Sequence, residues 1–199
     1  DRVDVLNPKN DLHKIVLNRR KIALSPGSFT DLARFSPASP KLPWVVWAGH
    51  LEHHKQPLFF LEGVARAIAE LGLQAEGWQF QILGDGSMLP EVRQQVTALG
   101  MQGRIQVWGH VNDVASFFAQ SIICVSTQQD TNYPSQVLLE AMACENAVIA
   151  TDVGETRLLA DEETAILVSD VEGMATALVR LIRDEALRVR LGKQGRERV

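Results

Sequence analysis

From residue 44 onward, short apolar runs of β-type residues alternate with amphipathic helical patterns, and this alternation is what most constrains the fold. The runs lie at residues 44–48, 78–83, 105–108, 122–125, 147–150 and 165–168. The helical patterns lie at residues 57–71, 88–99, 114–119, 135–144 and 155–160, followed by a region at 171–183 that continues after a break towards residue 199. Strict alternation of strand and helix predicts parallel βαβ units. We therefore expect an α/β protein with an open parallel sheet and helices on both faces.

The first 42 residues have a different character. A basic patch at 19–21 precedes a short possible strand at 22–24, and the turn-rich stretch "SPGSFTDLARFSPASPKLP" follows. We expect residues 1–42 to be a connector that enters the domain, without a core of its own, and residues 43–199 to form that domain. The chain begins without a methionine, which suggests a piece of a longer protein.

Composition limits the class of protein. Hydrophobic residues make up 46% and charged residues 22% of the chain, as in ordinary globular domains. A net charge of -4 gives no support to nucleic acid as a partner. The two cysteines, Cys124 and Cys144, match no zinc spacing and suit a reducing compartment. No apolar stretch approaches the ~20 residues that span a bilayer. We expect a cytoplasmic protein.

Ligands on open parallel sheets lie beyond the carboxyl ends of the strands. The loop after the first predicted strand reads "AGHLEHHKQP", in which Gly49 ends the strand and Pro57 suits a first helical turn. Lys55 therefore lies near a helix N-terminus, which favours an anion, and His50 could face the same crevice. The alternative is a lysine that is merely solvated.

The histidines of this loop also raise the question of a metal ion. His50, His53 and His54 stand close to Glu52, but their spacing matches no established metal motif. We expect no metal site there.

Glycines end the next two strands. Gly84 and Gly86 flank Asp85, and Gly109 closes the third strand, so the backbone there could approach a ligand closely. Taken alone, each of these signals is weak.

The segment "NYPSQVLLEAMA" places one carboxylate, that of Glu140, in an otherwise apolar helix. Ser135 is a good N-cap, and the N–H groups of Ser135, Gln136 and Val137 would form a phosphate site. Glu140 follows Ser135 by roughly 7 Å along the helix axis. This is comparable with the distance from a diphosphate to the ribose hydroxyls of a nucleotide. The alternative is a glutamate paired with a buried arginine or a backbone group.

Four stretches give the chain a resemblance to a known family. These are "GHLEHHKQP", "ILGDGSMLPEV", "IQVWGHVNDVASFFAQSIICVS" and "YPSQVLLEAMACENAVIATDVGETRLL". In this order they resemble the C-terminal half of family 4 glycosyltransferases, which is the Rossmann-like nucleotide-sugar-binding domain of the two-domain GT-B fold. The similarity covers about residues 22–183.

The resemblance implies hexosyl transfer from a nucleotide-diphosphate sugar to a glycan or lipid-linked acceptor, with retention and without a metal ion or other cofactor. Lys55 and His50 then occupy the catalytic positions, with Lys55 at the donor diphosphate. Glu140 would bind the ribose, and Gln136 and Val137 the phosphate. The backbone of Gly109, His110 and Val111 would border the base. The N-terminal acceptor-binding domain would be missing, so we expect the isolated chain to transfer nothing.

The sequence departs from the family pattern at three points. His50 stands where most members have an arginine, and a histidine is only partly charged near neutral pH. The members carry two glutamates separated by seven residues, but counting back from Glu140 gives Asn132, and the nearest acid is Asp130. Both are therefore candidates for the contact with the donor sugar. Glu145 replaces the usual glycine at the end of the helix.

Two other classes of function compete with the transferase. One is a catalytically impaired module that binds a nucleotide or a partner, which the changes at His50 and Asn132 favour. The other is a nucleotide-sugar epimerase of the same fold, which fits the segment around Glu140 less well.

The C-terminal tail, residues 183–199, carries six basic and three acidic residues. We favour a solvated helix face, and the alternative is a peripheral contact with anionic lipid at the inner face of a membrane.

Overall fold

A computed structural model describes residues 30–131 and 133–199, together with the backbone of two short strands, β1 (Val3–Val5) and β2 (Ile22–Leu24). These two strands pair in parallel. The strand predicted at 22–24 is thus confirmed, while the basic patch at 19–21 lies outside the described residues.

The main sheet has six parallel strands in the order β5-β4-β3-β6-β7-β8. The strands are β3 (Leu42–Ala48), β4 (Gln79–Leu83), β5 (Ile105–Gly109), β6 (Ser121–Ser126), β7 (Ala147–Thr151) and β8 (Ala165–Val168). All six strands were predicted from the sequence, with bounds that differ by at most two residues, and the parallel sheet is confirmed.

Helices connect these strands as the periodicity predicts. The helices of the described residues are α1 (Pro57–Leu71), α2 (Leu89–Ala98), α3 (Val114–Gln120), α4 (Gln136–Ala143), α5 (Thr156–Leu159), α6 (Val171–Arg183) and α7 (Glu185–Arg198). A 3-10 turn, His53–Lys55, precedes α1. The expected break in the last helical region lies at Asp184, whose side chain accepts a hydrogen bond from Leu187 N and caps α7.

The core lies on both faces of the sheet. On one face α1, α2 and α6 contribute Phe60, Val92 and Leu178 to a large buried cluster. On the other face α3 and α4 contribute Phe118 and Met142 to a second cluster. Strands buried on both sides read as continuous apolar runs, which is why the sequence shows runs rather than alternation.

The segment that precedes the sheet packs against it from residue 30 onward. Phe35 is buried in the second cluster, and Ala38 N donates to Ala119 O. The described part of the predicted connector therefore adds to the core of the domain. The boundary between residues 42 and 43 stays a prediction.

In the described part of the chain, no helix combines the length and apolar character that crossing a bilayer requires.

Candidate functional site

The strand order reverses beside β3, which lies between β4 and β6. At such a point the connections leave in opposite directions, and a crevice opens beyond the carboxyl ends of the strands. Two adjoining cavities occupy this crevice. We call them the glutamate cavity, of about 380 Å³, which contains Glu140, and the lysine cavity, of about 240 Å³, which contains Lys55.

Most of the residues predicted from the sequence come together here. Both cavities are lined by Gly49, His50 and Val137. The glutamate cavity is also lined by Gly84, His110, Val111 and Glu140. The lysine cavity is also lined by Lys55, Ser135 and Gln136. Loops separated by up to about 90 positions thus meet at one edge of the sheet.

Glycine is required where two of these loops cross. A Cβ atom on Gly84, whose φ is +138°, would overlap the carbonyl oxygen of Gly49. Gly84 N donates to Gly109 O at 2.8 Å, and Gly49 N donates to Leu83 O at 3.0 Å. The predicted glycines therefore hold three strand ends together, with Gly109 as a support behind the cavity wall.

Glu140 lies in the middle of α4, with its carboxylate at the glutamate cavity. The side chain is half-buried and makes no hydrogen bond or ion pair within the described residues. Burial raises the pKa of Glu140, and the positive charge of Arg34 opposes part of that rise. Within the described residues, neither an arginine nor a backbone group pairs with this carboxylate as the alternative requires.

Ser135 is the N-cap of α4, but its hydroxyl does not cap the helix. The residue is 2% exposed, and Ser135 Oγ has no hydrogen-bond partner among the described residues. The first N–H groups of the helix are likewise without intrahelical partners. Ser135 and Gln136 line the lysine cavity at this helix end, and free N–H groups at a helix N-terminus can bind an anion.

Lys55 reaches the lysine cavity from the end of the 3-10 turn. Its Nζ donates to Gln128 Oε1 at 3.5 Å, and burial lowers the pKa of the ammonium. His50 is exposed at the rim shared by the two cavities.

The candidates for the upstream acid do not join this group. Asp130 is exposed and lines neither cavity. Asn132 lies outside the described residues. Their contact with a donor sugar stays a prediction.

The prediction from the sequence missed four polar residues at the candidate site. Asp85 lines the glutamate cavity, and Ser126, Thr127 and Gln128 line the lysine cavity. Thr127 and Gln128 directly follow β6, so the rule that ligands lie beyond strand ends could have identified them. They belong to no motif, and that is why they were passed over.

The carboxylate of Glu52, in the histidine-rich loop, is bound to Ser87. Glu52 accepts hydrogen bonds from Ser87 N and Ser87 Oγ, at 2.8 and 2.6 Å, and these bonds lower the pKa of Glu52. Across the residues the structure describes, no three His, Cys, Asp or Glu side chains are grouped as a metal ion would require.

The two cavities together match the chemistry of a nucleotide. The lysine cavity offers an ammonium and a helix N-terminus, which suit phosphate oxygens. The glutamate cavity offers a free carboxylate as an acceptor for hydroxyl protons.

Comparisons with known proteins agree with this geometry. The sequence model of the family described as glycosyl transferases group 1 matches residues 42–184. The chain is 26% identical over 204 residues to the GalNAc-α-(1→4)-GalNAc-α-(1→3)-diNAcBac-PP-undecaprenol α-1,4-N-acetyl-D-galactosaminyltransferase of Campylobacter jejuni, and the alignment covers 100% of this chain and 55% of that protein. It is 29% identical over 159 residues to the lipopolysaccharide core biosynthesis glycosyltransferase LpsE from Rhizobium meliloti, covering 78% of this chain and 44% of that protein. The chain thus spans about half the length of these relatives.

Solved structures show the same fold. The C-terminal domain of the group 1 glycosyl transferase LpcC from Francisella tularensis superposes with a TM-score of 0.75 at 22% identity, covering 84% of this chain and 95% of that one. HepE from Anabaena, in complex with UDP and glucose, superposes with a TM-score of 0.77 at 16% identity, covering 90% of this chain and 52% of that one. The six-stranded parallel sheet with helices on both faces is the Rossmann-like fold of these GT-B neighbours. The family model matches most of this chain, from the start of β3 to the end of α6. The chain therefore belongs to the glycosyl transferases group 1 family.

Proposed function

We propose that this chain is the donor-binding half of a retaining hexosyltransferase, which transfers a sugar from a nucleotide-diphosphate sugar to a glycan or lipid-linked acceptor. An N-terminal domain would bind the acceptor, and no metal ion or other cofactor would take part. The observation that carries the proposal is the half-buried carboxylate of Glu140, which has no partner within the described residues and lines a cavity that adjoins the one at the N-terminus of α4.

In this proposal the diphosphate of the donor lies in the lysine cavity, and its ribose and base lie in the glutamate cavity. Lys55, Ser135 and the N–H groups of Gln136 and Val137 would bind the diphosphate in the lysine cavity. Glu140 would accept hydrogen bonds from the ribose hydroxyls, and the loop at His110 and Val111 would border the base. A free carboxylate costs the empty protein desolvation energy, which a pair of hydroxyl donors would offset.

The chemistry in this half would be electrostatic. As the bond between sugar and diphosphate breaks, negative charge grows on the departing phosphate. The ammonium of Lys55 and the helix N–H groups would stabilise that charge without moving. His50 would add a hydrogen-bond donor at the rim. We expect the protein to act in the cytoplasm.

Two measurements test the proposal. Calorimetric titration of the 199-residue chain with UDP, GDP and ADP should show weak binding of at least one nucleotide, and the chain alone should transfer no sugar. The longer protein should transfer sugar from one member of a panel of nucleotide sugars. Nucleotide binding without any transfer by the longer protein would instead support the impaired module, and the absence of nucleotide binding would refute the donor site.

A further inference from the structure

Two buried side chains that follow β6 connect this strand to the loop that carries Lys55. Thr127 and Gln128 are only 3% and 4% exposed, although both are polar and lie in a loop. Buried polar groups are normally engaged in hydrogen bonds. Here those bonds converge on Lys55 and its neighbours.

The hydroxyl of Thr127 holds the backbone of Lys55. Thr127 Oγ1 accepts a hydrogen bond from Trp47 Nε1 at 2.8 Å and donates to Lys55 O at 2.7 Å. It also lies 3.2 Å from Gln56 O. Gln56 has a left-handed conformation, with φ 51° and ψ 51°, which is unfavourable for a residue with a Cβ atom. Thr127 therefore stabilises the strained backbone at Lys55 and Gln56, and this backbone sets the direction of the Lys55 side chain.

Gln128 contacts the ammonium group at the end of the Lys55 side chain. Gln128 N donates to Thr151 Oγ1 at 2.9 Å, which anchors the loop to β7. The next residue donates its N–H to His54 O at 2.8 Å. With its backbone fixed from both sides, Gln128 places Oε1 3.5 Å from Lys55 Nζ, inside the lysine cavity.

We propose that Thr127 and Gln128 are positioning residues that hold the ammonium of Lys55 at the lysine cavity and so set its affinity for a diphosphate. The inference rests on the proposed function in that Lys55 binds the donor diphosphate. A lysine that is fixed in advance loses less conformational entropy on binding than a free one. The two residues thus act through Lys55 and need not contact the ligand.

A double-mutant cycle between Thr127 and Lys55 tests this. Thr127→Val keeps the shape of the side chain but removes the hydroxyl, and Lys55→Met removes the charge. The two single variants, the double variant and the wild type are titrated by NMR with UDP, GDP and inorganic pyrophosphate. We expect Thr127→Val to weaken binding by up to about tenfold, the equivalent of one hydrogen bond. In the Lys55→Met background, Thr127→Val should weaken binding no further.

Two controls separate positioning from general stability. Thr127→Ser keeps the hydroxyl and should restore the affinity of the wild type. Gln128→Met, measured alone and with Lys55→Met, repeats the cycle without touching the bond to Trp47, and decides the outcome if Thr127→Val does not fold. Gln128→Met should likewise weaken the binding of the nucleotides and pyrophosphate only in the protein that retains Lys55.

The outcomes distinguish the inference from the function. An equal loss of affinity in both Lys55 backgrounds, or no loss with either variant, would overturn the positioning role. If nucleotides bind but Lys55→Met has no effect, the donor site stands and the inference falls. If none of the three anions binds the wild type, both fall.

Discussion

The ammonium nitrogen of Lys41 lies 2.6 Å from the carbonyl oxygen of Cys144, the residue that ends α4. The same nitrogen donates to Ser121 O at 2.8 Å and to Glu145 O at 3.1 Å. Since the N-terminus of α4 faces the lysine cavity, Lys41 holds the opposite end of the helix that carries Glu140. The partly buried Lys41 thus links the start of β3 to the start of β6 and to the C-terminal end of α4.

Lys41 should make the stability of the domain depend on pH. Burial lowers the pKa of Lys41 from 10.5 to about 8. Between these values the unfolded chain holds the proton more tightly than the folded one, so the free energy of unfolding rises with pH. Relative to Lys41→Met, the wild type should gain up to about 3 kcal/mol as the pH increases from 7 to 10.

Chemical denaturation of both proteins at each pH measures this difference. Both proteins carry the same cysteines and surface groups, so the comparison isolates Lys41. A difference that stays constant or shrinks as the pH rises would show that Lys41 does not titrate in this window.

Glu140→Gln should lower nucleotide affinity without lowering the stability of the fold. The amide keeps one acceptor but loses the charge-assisted bonds to ribose hydroxyls, so nucleotide affinity should fall roughly tenfold or more. Stability at neutral pH should stay equal or rise, because the half-buried charge has no partner in the empty domain. Since burial raises the pKa of Glu140, the gain should disappear at low pH, where the carboxyl is protonated in both states.

Calorimetric titration and thermal unfolding measure both quantities for Glu140→Gln. Glu76→Gln, at an exposed site away from the cavities, serves as the matched control and should change neither. Lost stability together with unchanged nucleotide affinity would indicate a structural glutamate instead.

Ser135→Ala should behave unlike an ordinary N-cap substitution. Removing a capping side chain typically costs ~1 kcal/mol. Ser135 Oγ is buried without a partner and makes no capping bond, so its removal should leave stability unchanged or raise it. Nucleotide affinity should fall, since the hydroxyl would be a phosphate ligand.

The control for Ser135→Ala is Asp170→Ala. Asp170 Oδ1 accepts a hydrogen bond from Gly173 N at 2.7 Å and caps α6, so its loss should cost about 1 kcal/mol. Equal losses of stability in the two variants, measured by denaturant unfolding, would mean that Ser135 is a structural cap.

Glu145→Gly should stabilise the protein by about 1 kcal/mol. Glu145 follows the C-cap of α4 with φ +55°, a left-handed conformation that glycine adopts at helix ends without steric cost. Glu145→Ala removes the same carboxylate but keeps the Cβ atom, so it should not share the gain. Thermal unfolding of the two variants measures the difference, and equal stabilities would exclude backbone strain as the cause.

The basic tail should bind anionic vesicles poorly. Five of its six basic side chains have partners among the described residues, one of them Arg190, whose guanidinium donates to Gln194 Oε1 at 3.1 Å. Arg183 pairs with Glu70, Arg188 donates to Leu181 O and Ile182 O, Arg196 donates to Ala143 O, and Arg198 pairs with Asp161. Sedimentation with phosphatidylserine vesicles at low and high salt should show little binding. Strong binding that salt abolishes would support a peripheral contact with the membrane.

The amino-acid sequence alone predicted the kinds and positions of the strands in the main sheet and of the helices between them. Apolar runs and helical periodicity are local properties, because a strand buried on both faces and an amphipathic helix each need their own pattern within a few residues. The same logic indicated the candidate site, since ligands lie where the strands end. It selected Lys55, Ser135 and Glu140, which line the two cavities, and their roles stay predictions.

The local pattern does not show which of these groups meet, because that depends on how the chain packs. Thr127 lies 72 positions from Lys55, and Lys41 lies 103 positions from Cys144, yet each pair is joined by a hydrogen bond. Asp130 stands near Glu140 in sequence but lines neither cavity. The order of the strands in the sheet decides which loops lie close together in space, whatever their separation in sequence. The periodicity of the sequence does not determine that order. Partners of buried polar groups are therefore set by packing and not by spacing along the chain.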